Sequence, residues 1–170
     1  MDRYILSVLV NNHSGVLSRI AGLFSRRGYN IDSLSVGETE DREVSRMTIA
    51  VRGNTSVLEQ ITKQLDKQVD VLHVQVLHQG EGVFRELVMV KISTPVEARA
   101  VVVELADIFK AKIVDVDTET VTVELTGETD KLLAFFRLVE PYGIKEIVRT
   151  GMTAIGRGNG TINDLLDEQL

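Results

Sequence analysis

The segment Asn12-His13-Ser14-Gly15 places an amide, an imidazole, a hydroxyl and a glycine between an apolar run and residues with helical spacing. If a helix begins here, its first amides lack intrahelical acceptors and the helix dipole is positive, so they can hold a carboxylate or a phosphate. Gly15 lets a ligand approach the backbone, and the Asn12 amide can donate to a carboxylate and accept from an ammonium group. With Val16, Leu17 and neighbouring strands as an apolar wall, these groups suit a small zwitterion with an aliphatic side chain.

A plain helix cap is the alternative interpretation of this turn. Ser14 or Asn12 could accept from the first helical amides, and Gly15 would then only ease the turn. Caps are far commoner than ligand sites, so the residues alone favour the cap. His13 has two interpretations as well: beside a bound carboxylate it would make binding pH-sensitive, and otherwise it is an exposed loop residue.

The elements around this turn are predicted from hydrophobic periodicity, which gives the order β-α-β-β-α-β twice. In the first half we predict strands at 4–11, 29–38, 44–52 and 69–78 and helices at 15–27 and 55–67. In the second half we predict strands at 83–94, 112–117, 120–126 and 143–150 and helices at 95–110 and 128–142. This order is typical of an α+β fold with two tandem ferredoxin-like βαββαβ domains.

The same periodicity predicts which side chains face each core. Met47, Ile49 and Val51 share one strand face, and so do Leu72, Val74 and Val76. Along the third helix Val101, Leu105 and Ile108 are expected to point inward, and Asn54 or Thr55 is expected to cap the second helix.

Domain boundaries are placed where periodicity stops. Gln79–Gly82 (QGEG) has two glycines and a charge, so we predict domains at 1–78 and 83–150 joined by the linker 79–82. The remainder, 151–170, contains GRGNG and is predicted to be a flexible tail with a possible short helix at its end. Helices cover one face of such a sheet, so the other face favours a partner, most simply a second copy.

Composition excludes several classes of protein. The chain has no cysteine, which excludes disulfides, thiolate catalysis and Cys-ligated metals and fits a cytoplasmic protein. No apolar run approaches about 18 residues, so no membrane span is expected. The net charge is −6, basic residues do not cluster, and Tyr29 is the only aromatic residue where an RNA-binding sheet would need several, so no nucleic-acid partner is expected.

The sequence gives little support to any catalytic or metal-binding residue. His73 and His78 fall on opposite faces of one strand. Asp115, Asp117 and Glu119 could form a weak cation site, although a solvated acidic face is the commoner explanation. Since no nucleophile–base pair, metal cluster or cofactor fingerprint occurs, we expect no catalytic or metal site and a protein that is not an enzyme.

A longer pattern resembles a known family. The strand–Asn-x-x-Gly-Val-Leu–helix arrangement, with RGYNIDSL at 27–34 and SRMTI at 45–49, resembles the regulatory small subunit of acetohydroxyacid synthase. The likeness covers nearly the whole chain, as far as RTG at 149–151, and the segment NHSGVLSRIAGLFSRRGYNIDSLSVG is far longer than a chance motif. The first domain is similar to the ACT domain, a ferredoxin-like module that binds amino acids.

The resemblance implies a dimer or higher assembly that activates a separate catalytic large subunit and binds valine, or another branched-chain amino acid, as feedback inhibitor. Thiamine diphosphate, magnesium and FAD would belong to that subunit, and this chain would hold no cofactor. The alternative within the family is an ACT-type amino-acid sensor that regulates another enzyme.

The implied site lies between two ACT domains. By motif position, one chain supplies Asn12 and the backbone around Gly15, Val16 and Leu17, and the other supplies Asn30 and Ile31. Taken alone, Asn30 could equally be a strand-end residue that bonds local backbone or water.

Overall fold

The computed structural model describes residues 2–164, which form two compact units. The first contains residues 2–83 together with 152–164, and the second contains 84–151. Each unit has the predicted β-α-β-β-α-β order with an antiparallel sheet, so the predicted fold class is confirmed.

The first unit has its two helices on one face of a four-stranded sheet. Its elements are β1 (Asp2–Asn11), α1 (Val16–Arg26), β2 (Ile31–Glu38), β3 (Val44–Gly53), α2 (Thr55–Asp66) and β4 (Val71–Leu77). The strand order is β2-β3-β1-β4, which leaves β2 and β4 as the edge strands of this sheet.

The core of the first unit lies between this sheet and its helices. Met47, Ile49 and Val51 are buried as predicted, and Asn54 Oδ1 caps α2 by accepting from Val57 N at 2.9 Å. The prediction for β4 was wrong at one position. The register of β4 shifts opposite Leu9 and Val10, and Val71 rather than Leu72 packs on the core with Val74 and Val76. Strict alternation fails there because an extra residue in one strand moves its neighbours to the other face.

The second unit repeats the arrangement. Its elements are β5 (Gly82–Ser93), α3 (Val96–Ile108), β6 (Lys112–Val116), β7 (Thr120–Gly127), α4 (Thr129–Val139) with a 3₁₀ turn (Glu140–Tyr142), and β8 (Ile144–Arg149). The strand order is β6-β7-β5-β8. None of the helices within residues 2–164 is long and apolar enough to cross a bilayer.

The inward face predicted for α3 was wrong in part. Val101 and Ile108 are exposed, with 39% and 63% of their surface accessible, whereas Val102 and Ala106 are buried and Leu105 packs on the core as predicted. The helix VEARAVVVELADI is apolar around much of its circumference, so periodicity does not fix which side faces the sheet.

The predicted flexible tail is also wrong for residues 152–164, which we call the C-terminal strap. The strap contains strand β9 (Thr153–Gly156) and belongs to the first unit. Met152 N donates to Ser33 Oγ at 3.1 Å, and Ser35 Oγ donates to Met152 O at 3.0 Å. Arg46 Nη2 donates to Ala154 O at 3.0 Å, and burial lowers the pKa of this guanidinium.

The strap lies on the sheet face opposite the helices. The register pairs Ile5 with Ala50 and Leu9 with Arg46 on that face, and Ile5, Leu9 and Ala50 are all buried. The chain itself therefore covers the face for which a second copy was expected. The possible short helix at the end of the sequence falls outside the described residues.

Candidate functional site

The β1–α1 turn is built around Gly15. This residue has φ +90°, in the left-handed region. A Cβ at this position would also lie 3.2 Å from Arg19 Nη1. Only glycine adopts this backbone without strain, so the turn brings bare backbone to the start of α1.

The structure does not support the alternative that the turn is a plain cap of α1. No side chain among the described residues caps α1, whereas Asn54 caps α2. Val16 N lies 3.4 Å from His13 O, at the long end of hydrogen-bond distances. The first turn of α1 therefore presents amides without a side-chain acceptor, and the dipole makes this end positive.

Asn12 joins this turn to the β2–β3 connection. Its backbone N donates to Glu43 O at 2.7 Å. Its Nδ2 donates to Arg42 O at 2.7 Å and lies 3.4 Å from Glu38 Oε1. The amide predicted to hold a ligand is thus fixed beside the end of β2.

The two predicted apolar neighbours differ in exposure. Val16 is 3% exposed and its side chain belongs to the core. Leu17 is 45% exposed. Of this pair, Leu17 can offer a side chain to a ligand and Val16 can offer backbone.

Sequence reasoning missed Asp70, which binds both sides of the turn. Its Oδ1 lies 3.0 Å from His13 Nε2. Its Oδ2 accepts from Arg19 Nε at 2.8 Å and from Nη2 at 2.6 Å. Asp70 precedes β4 and is far from the turn in sequence, so no local pattern could have identified it. His13 is an exposed loop residue, in agreement with the second interpretation of it, and its ring pairs with Asp70.

Asn30 and Ile31 stand at the start of β2. Asn30 Nδ2 donates to Asp32 Oδ1 at 3.1 Å. A hydrogen bond from Arg52 is the main reason that the pKa of Asp32 is lowered. Ile31 is half-buried and packs against the core.

One chain does not bring Asn12 and Ile31 together. Ile31 pairs with Val51, and Val51 pairs with Tyr4, so Ile31 is level with the start of β1. Asn12 follows the other end of β1. Tyr4 and Asn12 are eight positions apart, which is about 27 Å at roughly 3.4 Å per residue. The six predicted site residues form two groups, one at each end of β2.

Of the acidic residues considered for a cation, Asp117 stabilises a turn instead. Asp117 Oδ1 accepts from Thr118 N at 2.6 Å in the β6–β7 hairpin. Within residues 2–164 no group of three or more His, Asp or Glu side chains is arranged to hold a metal ion.

Comparisons with known proteins agree over both units. Residues 6–73 match the family described as AHAS (acetohydroxyacid synthase) small subunit-like ACT domain, and residues 85–158 match the family described as small subunit of acetolactate synthase. The chain is 49% identical over 162 residues to a probable acetolactate synthase small subunit of Methanothermobacter thermautotrophicus, covering 95% of this chain and 96% of that one. It is 47% identical over 155 residues to the acetolactate synthase small subunit of Mycolicibacterium smegmatis, covering 91% of each.

A solved structure is similar over the same length. The crystal structure of an acetolactate synthase small subunit from Thermotoga maritima matches with a TM-score of 0.87 and 38% identity. The alignment covers 94% of this chain and 100% of that one.

Proposed function

The chain belongs to the family of acetolactate synthase small subunits, with an ACT domain at its N-terminal end, and on this premise we propose that it activates a catalytic large subunit and makes it sensitive to a branched-chain amino acid. The chain itself performs no chemistry. Thiamine diphosphate, magnesium and FAD are bound by the catalytic subunit.

The observation that carries the proposal is that the uncapped start of α1 lies close to one end of the edge strand β2. The Gly15 turn presents amides to a carboxylate. Asn12 lies next to the Glu38 end of β2, and β2 is an edge of its sheet. The groups predicted to complete the site stand at the other end of that edge.

A second copy supplies the missing half of the site. Two β2 edges that pair antiparallel about a two-fold axis place the Ile31 end of one strand beside the Glu38 end of the other. The partner's Asn30 and Ile31 then approach Asn12 and the Gly15 turn. The site is assembled twice in each dimer.

The chemistry of this seam suits a small aliphatic amino acid. The ligand carboxylate accepts hydrogen bonds from the amides of the first turn of α1. The side-chain oxygen of Asn12 accepts a hydrogen bond from the ligand's ammonium group. Leu17, exposed on α1, and the partner's Ile31 contact its aliphatic side chain. Because the ligand touches both copies, it favours one dimer geometry over others.

Calorimetric titration of the full chain with L-valine tests the site. We expect saturable binding near one valine per chain, and about tenfold weaker binding by Asn12→Ala, the effect of a lost hydrogen bond to a charged group. Asn54→Ala makes the same chemical change at the cap of α2 and should keep its affinity. Silence towards valine, leucine and isoleucine, with and without the catalytic subunit, would contradict the proposal.

Activation is tested by adding the chain to its catalytic subunit. Acetolactate formation should rise with the chain and fall again with valine. Valine binding without any stimulation would instead favour the alternative of a sensor for another enzyme.

A further inference from the structure

A guanidinium lies over the turn that is proposed to bind the carboxylate. Arg19 Nη1 is 3.2 Å from the point where Gly15 would carry a Cβ. The first turn of α1 contains no acidic residue. A cation here adds to the positive end of the helix dipole, an arrangement that destabilises a helix unless an anion offsets it.

Asp70 supplies one such anion and fixes the direction of the guanidinium. It accepts from Arg19 Nε at 2.8 Å and from Nη2 at 2.6 Å. The Asp70 side chain is only 14% exposed, and its backbone oxygen accepts from Asn11 N at 2.9 Å. Asp70 therefore orients Arg19 relative to the end of β1, immediately before Asn12.

The pairing with Asp70 leaves N–H donors of Arg19 on the side of the guanidinium that faces the Gly15 turn. A guanidinium has five N–H groups, and the contacts with Asp70 use those on Nε and Nη2. The two N–H groups of Nη1 lie beside Gly15. The contacts of Nε and Nη2 with Asp70 fix the plane of the guanidinium and therefore the direction of these N–H groups, and a charged donor of this kind forms a strong hydrogen bond with a carboxylate oxygen.

We propose that Arg19, held by Asp70, recognises the carboxylate of the bound amino acid at the Gly15 turn. This inference rests on the proposed function and names a specificity-determining residue of the same site. The ligand carboxylate receives donors from the first helical amides and from Nη1, and the site selects amino acids with a free carboxylate over uncharged analogues.

The competing explanation is that the Arg19–Asp70 pair only braces α1 against the start of β4. A brace would affect every ligand of the site equally, since it acts through the shape of the turn. Recognition of a carboxylate affects only ligands that carry one.

The experiment compares L-valine with L-valinamide on the full chain, by calorimetry at pH 6.5, where both amines are protonated. Arg19→Met removes the charge and keeps the length of the side chain. Arg26→Met is the matched control, because Arg26 Nη1 lies 3.3 Å from the Cβ position of Gly22 in the same helix, away from the turn. The series is repeated with the catalytic subunit present.

We expect Arg19→Met to weaken valine binding about tenfold and valinamide binding less than twofold, with Arg26→Met unchanged for both. Equal weakening of both ligands, or no weakening of either, would overturn the assignment of Arg19. If valinamide binds too weakly for direct titration, its affinity for each variant is measured by competition with valine, and the same outcomes decide. If the unmodified chain does not bind valine, the result contradicts the proposed function itself.

Discussion

Glu86 carries a carboxylate that is almost completely removed from solvent, with 3% of its side-chain surface exposed. Arg149 binds both oxygens, with Nε–Oε1 2.9 Å and Nη2–Oε2 2.7 Å, and lies 5.9 Å from the Phe136 ring centroid. The hydrogen bond to Glu86 raises the pKa of Arg149. Both partners lie in the second unit, so this pair concerns folding and not the amino-acid site.

Removing the cation should therefore destabilise the second unit. Arg149→Met leaves the buried carboxylate without its partner, and we expect a loss of about 2 kcal/mol, below the range for a fully buried pair because Arg149 is 40% exposed. Adding Glu86→Gln should recover part of this loss. Urea denaturation measures the free energy of unfolding of both variants. An Arg149→Met chain that is as stable as the unmodified chain would contradict the expectation.

Asp32 gives the first unit a pH-dependent contribution to stability. The hydrogen bond from Arg52 lowers its pKa below the ordinary 3.8, against a smaller opposing effect of burial. A lowered carboxyl pKa stabilises the fold above the unfolded value, and this is lost as pH falls through the folded value. Asp32→Asn should thus be less stable than the unmodified chain at pH 7, and the two should converge well below pH 3.8. A stability difference that is independent of pH would show that the Asp32 charge is not responsible.

At the scale of elements, the strap determines whether the sheet of the first unit is covered on both faces. Truncation after Gly151 removes Met152, Ala154 and Ile162, all buried. We expect a lower unfolding temperature and new binding of a hydrophobic dye, because the sheet face containing Ile5 and Leu9 becomes exposed. Truncation after Asp164 removes only residues 165–170 and is the control. Equal stability of the two truncated chains would mean that the strap contributes nothing.

Periodicity predicted most strands and helices because their patterns are local. It failed where the deciding contact is distant or the pattern is degenerate. The strap is held by Ser33 and Ser35, more than a hundred residues away, and α3 is apolar on too many sides to fix its inward face.

The candidate site likewise contains residues that the local sequence could predict and residues that it could not. The role of Gly15 in the turn could be proposed from the sequence, since the requirement for glycine is local, whereas the residues alone favoured a capped helix start that the structure does not have. Asp70 could not, because the sheet brings it to Arg19 from fifty-one residues away. A site that contains both Asn12 and Ile31 was implied by the family resemblance alone, and the register shows that one chain keeps the two residues at opposite ends of β2.

At the scale of the whole molecule, an assembled site makes ligand binding and dimerisation depend on each other. If valine binds only between two β2 edges, it must strengthen the dimer by the factor by which dimerisation strengthens valine binding. Val36 lies on β2 with 45% of its surface exposed, and Val36→Lys places a charge on the proposed seam, a substitution that discourages edge pairing. Analytical ultracentrifugation and calorimetry on this variant should show loss of the dimer and of valine binding together. Val69→Lys, at a position 94% exposed and outside the strands, should keep both. A monomeric Val36→Lys chain that binds valine with unchanged affinity would place the whole site within one copy and remove the physical basis for regulation through the dimer.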